Sequence, residues 1–341
     1  MYRGQTPILL KLRMFDVITF GSATNDIFLQ LPEDENMKEA EMKTQDFFCL
    51  PLGQKLLVED MQVFSGGGGT NVACGLSALG LKVAYLGKVG DDGAAKLVMN
   101  DLARFKVNTT LVRKDKSLAT AVSFILSKKT DRTILVFRGA CHFLNKQEIN
   151  FGQIQKAKWF YIAPLYEKTA DIFGDLVEFA KMNNMQLAVN PSIFQITRED
   201  QSFKNALAKV DILFLNQNEG EILARNPILS VEELAKTIHR ICPGIIVITQ
   251  GEKGALVFEG EHFFKASVYK VFVEDRTGAG DSFASGFLAG LFKENSIEYA
   301  LRLAMVSSGQ NISQKGAKNG LLKQSELKVL PNIDIIKERV Y

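Results

Sequence analysis

The chain has 341 residues, a formal net charge of +3, and 46% apolar and 23% charged residues. That length suits one large α/β domain or two small ones, and the near-neutral charge gives no reason to expect a nucleic acid or a membrane surface as partner. Four scattered cysteines (Cys49, Cys74, Cys141, Cys242) make no Cys-x-x-Cys pair, and three histidines (His142, His239, His262) make no ligand pattern; this speaks against zinc and for reduced thiols in the cytoplasm.

Residues 1–13 read as an N-terminal extension. The stretch Pro7–Arg13 is too short and too broken by Lys11 and Arg13 to be a signal core, and Met14 stands as an alternative start just before the first strand. No apolar run reaches the roughly 20 residues of a membrane helix. Phe15–Phe20 reads as a buried strand ending at Gly21, followed by Ser22-Ala23-Thr24-Asn25-Asp26. Asp26 is a candidate acceptor for sugar hydroxyls, though taken alone an Asp after a strand is a turn or cap residue. Residues 28–64 are polar and irregular, with strand-like stretches near the ends.

Ser65-Gly66-Gly67-Gly68-Gly69-Thr70-Asn71 then opens a helix over 71–79. The glycines allow close backbone approach to a ligand, and Asn71 offers an amide to a polyol. No Lys-Ser or Lys-Thr follows, and Asn71 stands where a dinucleotide fingerprint would have its third glycine. By itself the cluster is also compatible with a flexible turn. Val83–Leu86 reads as a strand and Gly93–Phe105 as a helix with Leu97, Val98, Leu102 and Phe105 on one face. Ala121–Leu126 and Thr133–Phe137 flank a charged turn, a hairpin pattern. With residues 28–64 it would make a small β-lid, or else the two are surface insertions.

Downstream, strands over 159–163, 186–190, 212–215 and 245–249 alternate with helices over 170–182, 231–241, 281–292 and 297–312. This pattern predicts a mostly parallel sheet covered on both faces, with ligands beyond the carboxyl ends of the strands. Asn218 and Glu221 follow the 212–215 strand three residues apart, a spacing that orients magnesium-bound water or simply places acids at a helix start. Thr249-Gln250-Gly251-Glu252-Lys253-Gly254 ends another strand, as a nucleotide edge or a plain glycine turn.

The densest chemistry lies in Asp275-Arg276-Thr277-Gly278-Ala279-Gly280-Asp281 before the small, apolar run 283–291. Such a turn into a helix offers unpartnered N–H groups and partial positive charge to an anion. An Asp beside them can take a proton from an attacking hydroxyl. The combination is that of phosphoryl transfer to an alcohol.

In order and spacing these motifs resemble the ribokinase-like (pfkB) family of carbohydrate and nucleoside kinases over about residues 15–320. The strongest parts are Gly66–Asp92 and Asp275–Gly286, the latter matching the family's Asp-x-Thr-Gly-Ala-Gly-Asp signature. The resemblance implies a three-layer α/β domain over 14–320, with lid segments at about 27–65 and 118–138 and a C-terminal segment at 321–341. It implies ATP and Mg2+ as cofactors, with K+ suggested, and a sugar or nucleoside as partner, with a homodimer through the lid as an option. Asp281 matches the general base; Gly278, Ala279 and Gly280 match the anion hole. Asp26, Gly66, Gly67 and Asn71 match the acceptor side. Asn190, Asn218, Glu221, Thr249, Gly251, Gly254 and Gly316 match the phosphate and nucleotide side. Glu221 is tied to Mg2+ through water, and Asp275 to a monovalent cation. The chain departs from ribokinases proper at Gly68, where a lysine is common, and at Cys141, where an amide is common. Arg138 is a candidate for an acidic group on the acceptor. The expected activity is phosphorylation of a sugar hydroxymethyl group. A nucleoside kinase, with a base pocket using Phe28 or Phe124, and a silent binding protein are the alternatives; a dinucleotide dehydrogenase is disfavoured.

Overall fold

The computed structural model describes residues 14–32, 39–42, 45–127, 132–198 and 200–340. The N-terminal extension 1–13 and most of the charged lid turn lie outside the described residues. The central sheet has ten strands in the order Ile335–Arg339, His262–Ala266, Ala255–Phe258, Ile245–Thr249, Ile212–Asn216, Gln186–Val189, Ala157–Ile162, Phe15–Phe20, Val83–Gly90, Val112–Asp115. Pairing is parallel from Val112–Asp115 across to Ile245–Thr249 and antiparallel over the last three strands.

Alternation along each strand divides the core in two. Ile18, Phe20, Phe160, Ile162, Leu213 and Leu215 face one layer of helices. Val17, Tyr161, Ile212, Phe214 and Val247 face the other, which includes helices Gly68–Ala78, Ala279–Glu294 and Ile297–Ile312. A strand buried on both faces carries no polar alternation, which is why these read as continuous apolar runs. Each fully buried Leu, Ile or Phe contributes about 1.5–3 kcal/mol relative to exposure.

A second sheet stands apart, ordered Asp60–Gly66, Thr24–Gln30, Ala121–Ser127, Arg132–Phe137. It is the expected lid, built from both irregular segments, but it starts at Thr24 rather than residue 27. A separate hairpin pairs Glu39–Met42 with Gln45–Phe48.

Three features depart from the sequence reading. The single helix expected over 170–182 is two, Glu167–Asp171 and Phe173–Met182, broken at Ile172; the break lets Ala170, Ile172 and Phe173 all enter one core. The antiparallel strands Ala255–Phe258 and His262–Ala266 were not anticipated as a sheet edge. Division at residue 320 does not follow the packing, because Leu321, Leu322 and Ile333 lie in the core and Ile335–Arg339 pairs with His262–Ala266. Among the described residues no helix is long and apolar enough to cross a membrane.

Candidate active site

The signature turn enters helix Ala279–Glu294 through Gly278, whose φ of 76° is left-handed. A Cβ there would lie 2.6 Å from Cβ of Ala317, so conformation and space both demand glycine. Space around Gly280 is open. Ala279 N–H makes only a long 3.3 Å turn bond to Arg276 O. Asp281 sits in the first turn, where the helix dipole favours its negative charge. Its carboxylate accepts a 2.8 Å hydrogen bond from Asn71 Nδ2. Burial pushes the Asp281 carboxyl above its ordinary value; the Asn71 bond and the Lys318 charge pull it down, and Asp26 pushes it up again.

Asn71 belongs to the glycine-rich segment. Gly67, at φ 97°, caps helix Gly68–Ala78. A Cβ on Gly67 would fall 2.5 Å from Ser22 O, and one on Gly69 within 2.9 Å of the Gly21 backbone. The close approach of two chain segments therefore explains the glycines better than flexibility does. Gly66 is bounded by Asp26, whose Oδ2 would lie 2.0 Å from a Cβ. Asp26 is buried and accepts from Thr24 Oγ1 at 3.2 Å. Burial raises its pKa, against the bond from Ser123 and the Lys318 charge. Asn71 Oδ1 is buried and has no hydrogen-bond partner among the described residues. An orphaned polar atom of this kind asks for a hydroxyl.

The sequence reading missed Lys318. It is 3% exposed, and its ammonium donates to Ser65 O and Ser65 Oγ, both at 2.9 Å. Ser65 Oγ in turn donates to Asp101 at 2.6 Å. Burial lowers the Lys318 pKa, while Cys74, Asp101, Asp26 and Asp281 act to raise it. Lys318 is thus a buried amine held by Ser65 near the site, with burial acting against its charge and the nearby acids acting to keep it. Nothing local marks it, because a lysine in a late loop ordinarily reads as surface.

Ala279 and Gly280, directly before Asp281 in the chain, line a cavity of about 550 Å³ together with Thr249, Gly251, Gly254 and Phe283, among others. Its volume is within the range of small-molecule sites. Gly251 and Gly254 take φ of 58° and 94°. Arg276 also lines the cavity, and its guanidinium pairs with Glu252 at 2.8 Å.

The remaining predicted residues spread around this centre. Asn190 directly follows strand Gln186–Val189, and its amide donates to Phe214 O at 3.0 Å. Helix Gln217–Ala224 is capped by Asn216, which with Glu219 forms a capping box. Asn218 is exposed, and Glu221 accepts from Gln217 at 2.8 Å. Asn216 and Glu219 repeat the Asn-x-x-Glu spacing two residues earlier. Burial raises the Glu219 pKa. The fully buried Tyr161 phenol, pushed up first by burial, feels the charges of Asp281 and Glu219 together. Glu219 is half-buried at the head of helix Gln217–Ala224. Gly316, at φ 82°, lies against the Phe64 ring and donates to Asp275 at 3.0 Å. Arg138 pairs with Glu167 at 3.2 Å and lies 4.4 Å over the Tyr166 ring. Phe28 meets Phe64 edge-on at 5.6 Å, and Phe124 is part-exposed on the lid.

Asp275 does not fit a bare monovalent cation. Its Oδ1 accepts from Thr277 N, Thr277 Oγ1 and Arg132, and its Oδ2 from Gly316 N.

Among curated proteins, a ribokinase of Haemophilus influenzae is 26% identical over 284 residues, covering 82% of this chain and 91% of that protein. A 5-dehydro-2-deoxygluconokinase of Listeria monocytogenes is 27% identical over 335 residues, covering 93% and 96%. A solved structure of Arabidopsis thaliana ribokinase with ribose and ATP superposes with a TM-score of 0.77 at 21% identity, covering 93% of this chain and 98% of that one. The pattern of the pfkB family carbohydrate kinase matches residues 33–324, most of the chain. With the signature turn, the two-faced sheet and the lid in place, this chain belongs to the pfkB family of carbohydrate kinases.

Proposed function

We propose that the protein transfers the γ-phosphate of MgATP to a hydroxymethyl group of a sugar. The observation that carries this reading is the position of Asp281, in the first turn of a helix, bonded to the Asn71 amide and directly following Ala279 and Gly280, which line the 550 Å³ cavity. Asp281 takes the proton of the acceptor hydroxyl, its raised pKa bringing it nearer the working pH of a general base. The N–H groups of Gly278, Ala279 and Gly280 stabilise charge on the phosphoryl group in flight. Asp26, Gly66, Gly67 and Asn71 hold the acceptor, and Arg138 meets an acidic substituent where one is present. Thr249, Gly251 and Gly254 lie along the nucleotide. Asn190, Asn218, Glu221 and Gly316 complete the phosphate side, with Glu219 added by its position. Glu219 and Glu221 would meet magnesium through water, since Mg2+ keeps several waters beside phosphates.

The lid excludes water from the acceptor. Its outer strand exposes Ile134, Leu135, Val136 and Phe137, and we read this apolar edge as a seat for the lid of a second copy. The buried free thiols Cys74, Cys141 and Cys242 fit a reducing cytoplasm. A coupled ADP-release screen over pentoses, hexoses, sugar acids, sugar phosphates and nucleosides tests the reading. Turnover on a free sugar or sugar acid is expected. Turnover on nucleosides alone would replace it with a nucleoside kinase, and ATP binding without turnover on any acceptor would make the protein a silent member of the fold.

A further inference from the structure

Arg132 begins the outer lid strand, yet its guanidinium reaches the signature loop 143 residues away in sequence, with Nη1 2.9 Å from Asp275 Oδ1 and 3.4 Å from Thr277 Oγ1. The Asp275 side chain is 4% exposed, so its charge needs partners inside the protein. Burial alone pushes its carboxyl up, but the donors from Gly316, Thr277 and Arg132 outweigh burial and hold it below the ordinary range. Neighbouring backbone oxygens are engaged too. Thr277 O accepts from Asn311 Nδ2 at 3.1 Å, and Ile312 O accepts from the N–H groups of Glu274 and Asp275. A bare ion is held by several oxygens at once, and here those oxygens already face donors. A guanidinium, by contrast, stays charged at any working pH and delivers that charge as directed hydrogen bonds.

We infer that Arg132 is the resident cation of the Asp275 site: a lid side chain, in place of an exchangeable monovalent ion, balances this carboxylate and ties the lid to the phosphoryl-transfer loop. The consequence for turnover, that no added potassium is needed, rests on the kinase reading. The consequence for stability does not.

The test is therefore a melting temperature, which requires no acceptor. Wild-type protein and Arg132→Gln are melted in KCl and in tetramethylammonium chloride at equal ionic strength. Wild type should melt identically in both. Arg132→Gln should melt lower in tetramethylammonium and be raised by K+, because the opened site binds the ion only in the folded state. Arg132→Lys, which keeps a cation, should respond to K+ less than Arg132→Gln does, and it serves if the glutamine variant fails to fold. In parallel, ADP release with MgATP and D-ribose is followed as K+ is titrated. A flat wild-type rate is expected. A K+-specific rise in the melting temperature of wild type, several-fold activation of wild type by K+, or an Arg132→Gln variant indifferent to K+ would each overturn the inference. No ADP release on any acceptor would defeat the kinase reading while leaving the melting result to decide this one.

Discussion

The floor of the site and its lid sit within a few ångströms of each other and are built on opposite terms. The floor is fixed by exclusion: Gly67, Gly69 and Gly278 each stand where a Cβ would meet another segment closer than 3 Å, and Lys318 is buried beside them. Strand Arg132–Phe137 of the lid is exposed along its whole length. Close packing permits one arrangement and is intolerant of change, whereas an exposed sheet tolerates substitution and is free to diverge with the substrate. The chemistry should therefore break at the floor and the specificity at the lid.

The largest effect is expected at Asp281. Asp281→Asn should lower kcat by about a hundredfold or more, the scale of a lost general base, with ATP binding retained. Its stability should move the other way. The folded-state pKa of Asp281 is raised, so the ionised carboxylate opposes folding once the pH exceeds the unfolded value. The variant should melt no lower than wild type at neutral pH, and any gain should vanish as the pH falls below the ordinary carboxylate range. Near-normal turnover would remove Asp281 from the mechanism.

Next comes Gly69→Ala, whose Cβ would fall 2.8 Å from the Gly21 carbonyl carbon. Overpacking of this kind costs about 1–3 kcal/mol, measured by denaturant melts, and acceptor KM should rise with it. An unchanged melt would show the floor to be softer than its packing implies.

Lys318→Met is a subtler probe, because it removes charge while keeping the length of the side chain. Lys318 lowers the pKa of Asp281 and of Asp26. Without it, the acid limb of the kcat/KM profile should move to higher pH. A profile that stays in place while only the melting temperature falls would reduce Lys318 to a strut beneath Ser65. The smallest effect is expected on the lid. Leu135→Ser should change stability by no more than about 0.5 kcal/mol, as exposed substitutions do, while shifting the oligomer distribution measured by light scattering. An unchanged distribution would leave the lid edge without the partner proposed for it.

The floor was more legible than the lid because its constraints are local. A left-handed Gly278, an acid at the third helical position and an amide after a glycine run all depend on near neighbours in the chain, so Asp281, Gly278 and Asn71 were readable in order. Alternating apolar strands and helical periods likewise marked the parallel sheet. The Asn-x-x-Glu spacing occurs in two frames, Asn216/Glu219 and Asn218/Glu221, and spacing along the chain does not choose between them; the fold puts Asn216 and Glu219 in the cap of helix Gln217–Ala224.

By itself, then, the sequence determined the layered α/β fold and where the glycine turns and helix starts fall at the strand ends. Tertiary structure alone decided the partners of the charges. It brought Lys318 to Ser65 across 253 positions and Arg132 to Asp275 across 143. The reason is physical. A buried charge is tolerated only where opposite charges and hydrogen bonds converge on it, and that convergence depends on distance in space, which spacing along a chain does not encode.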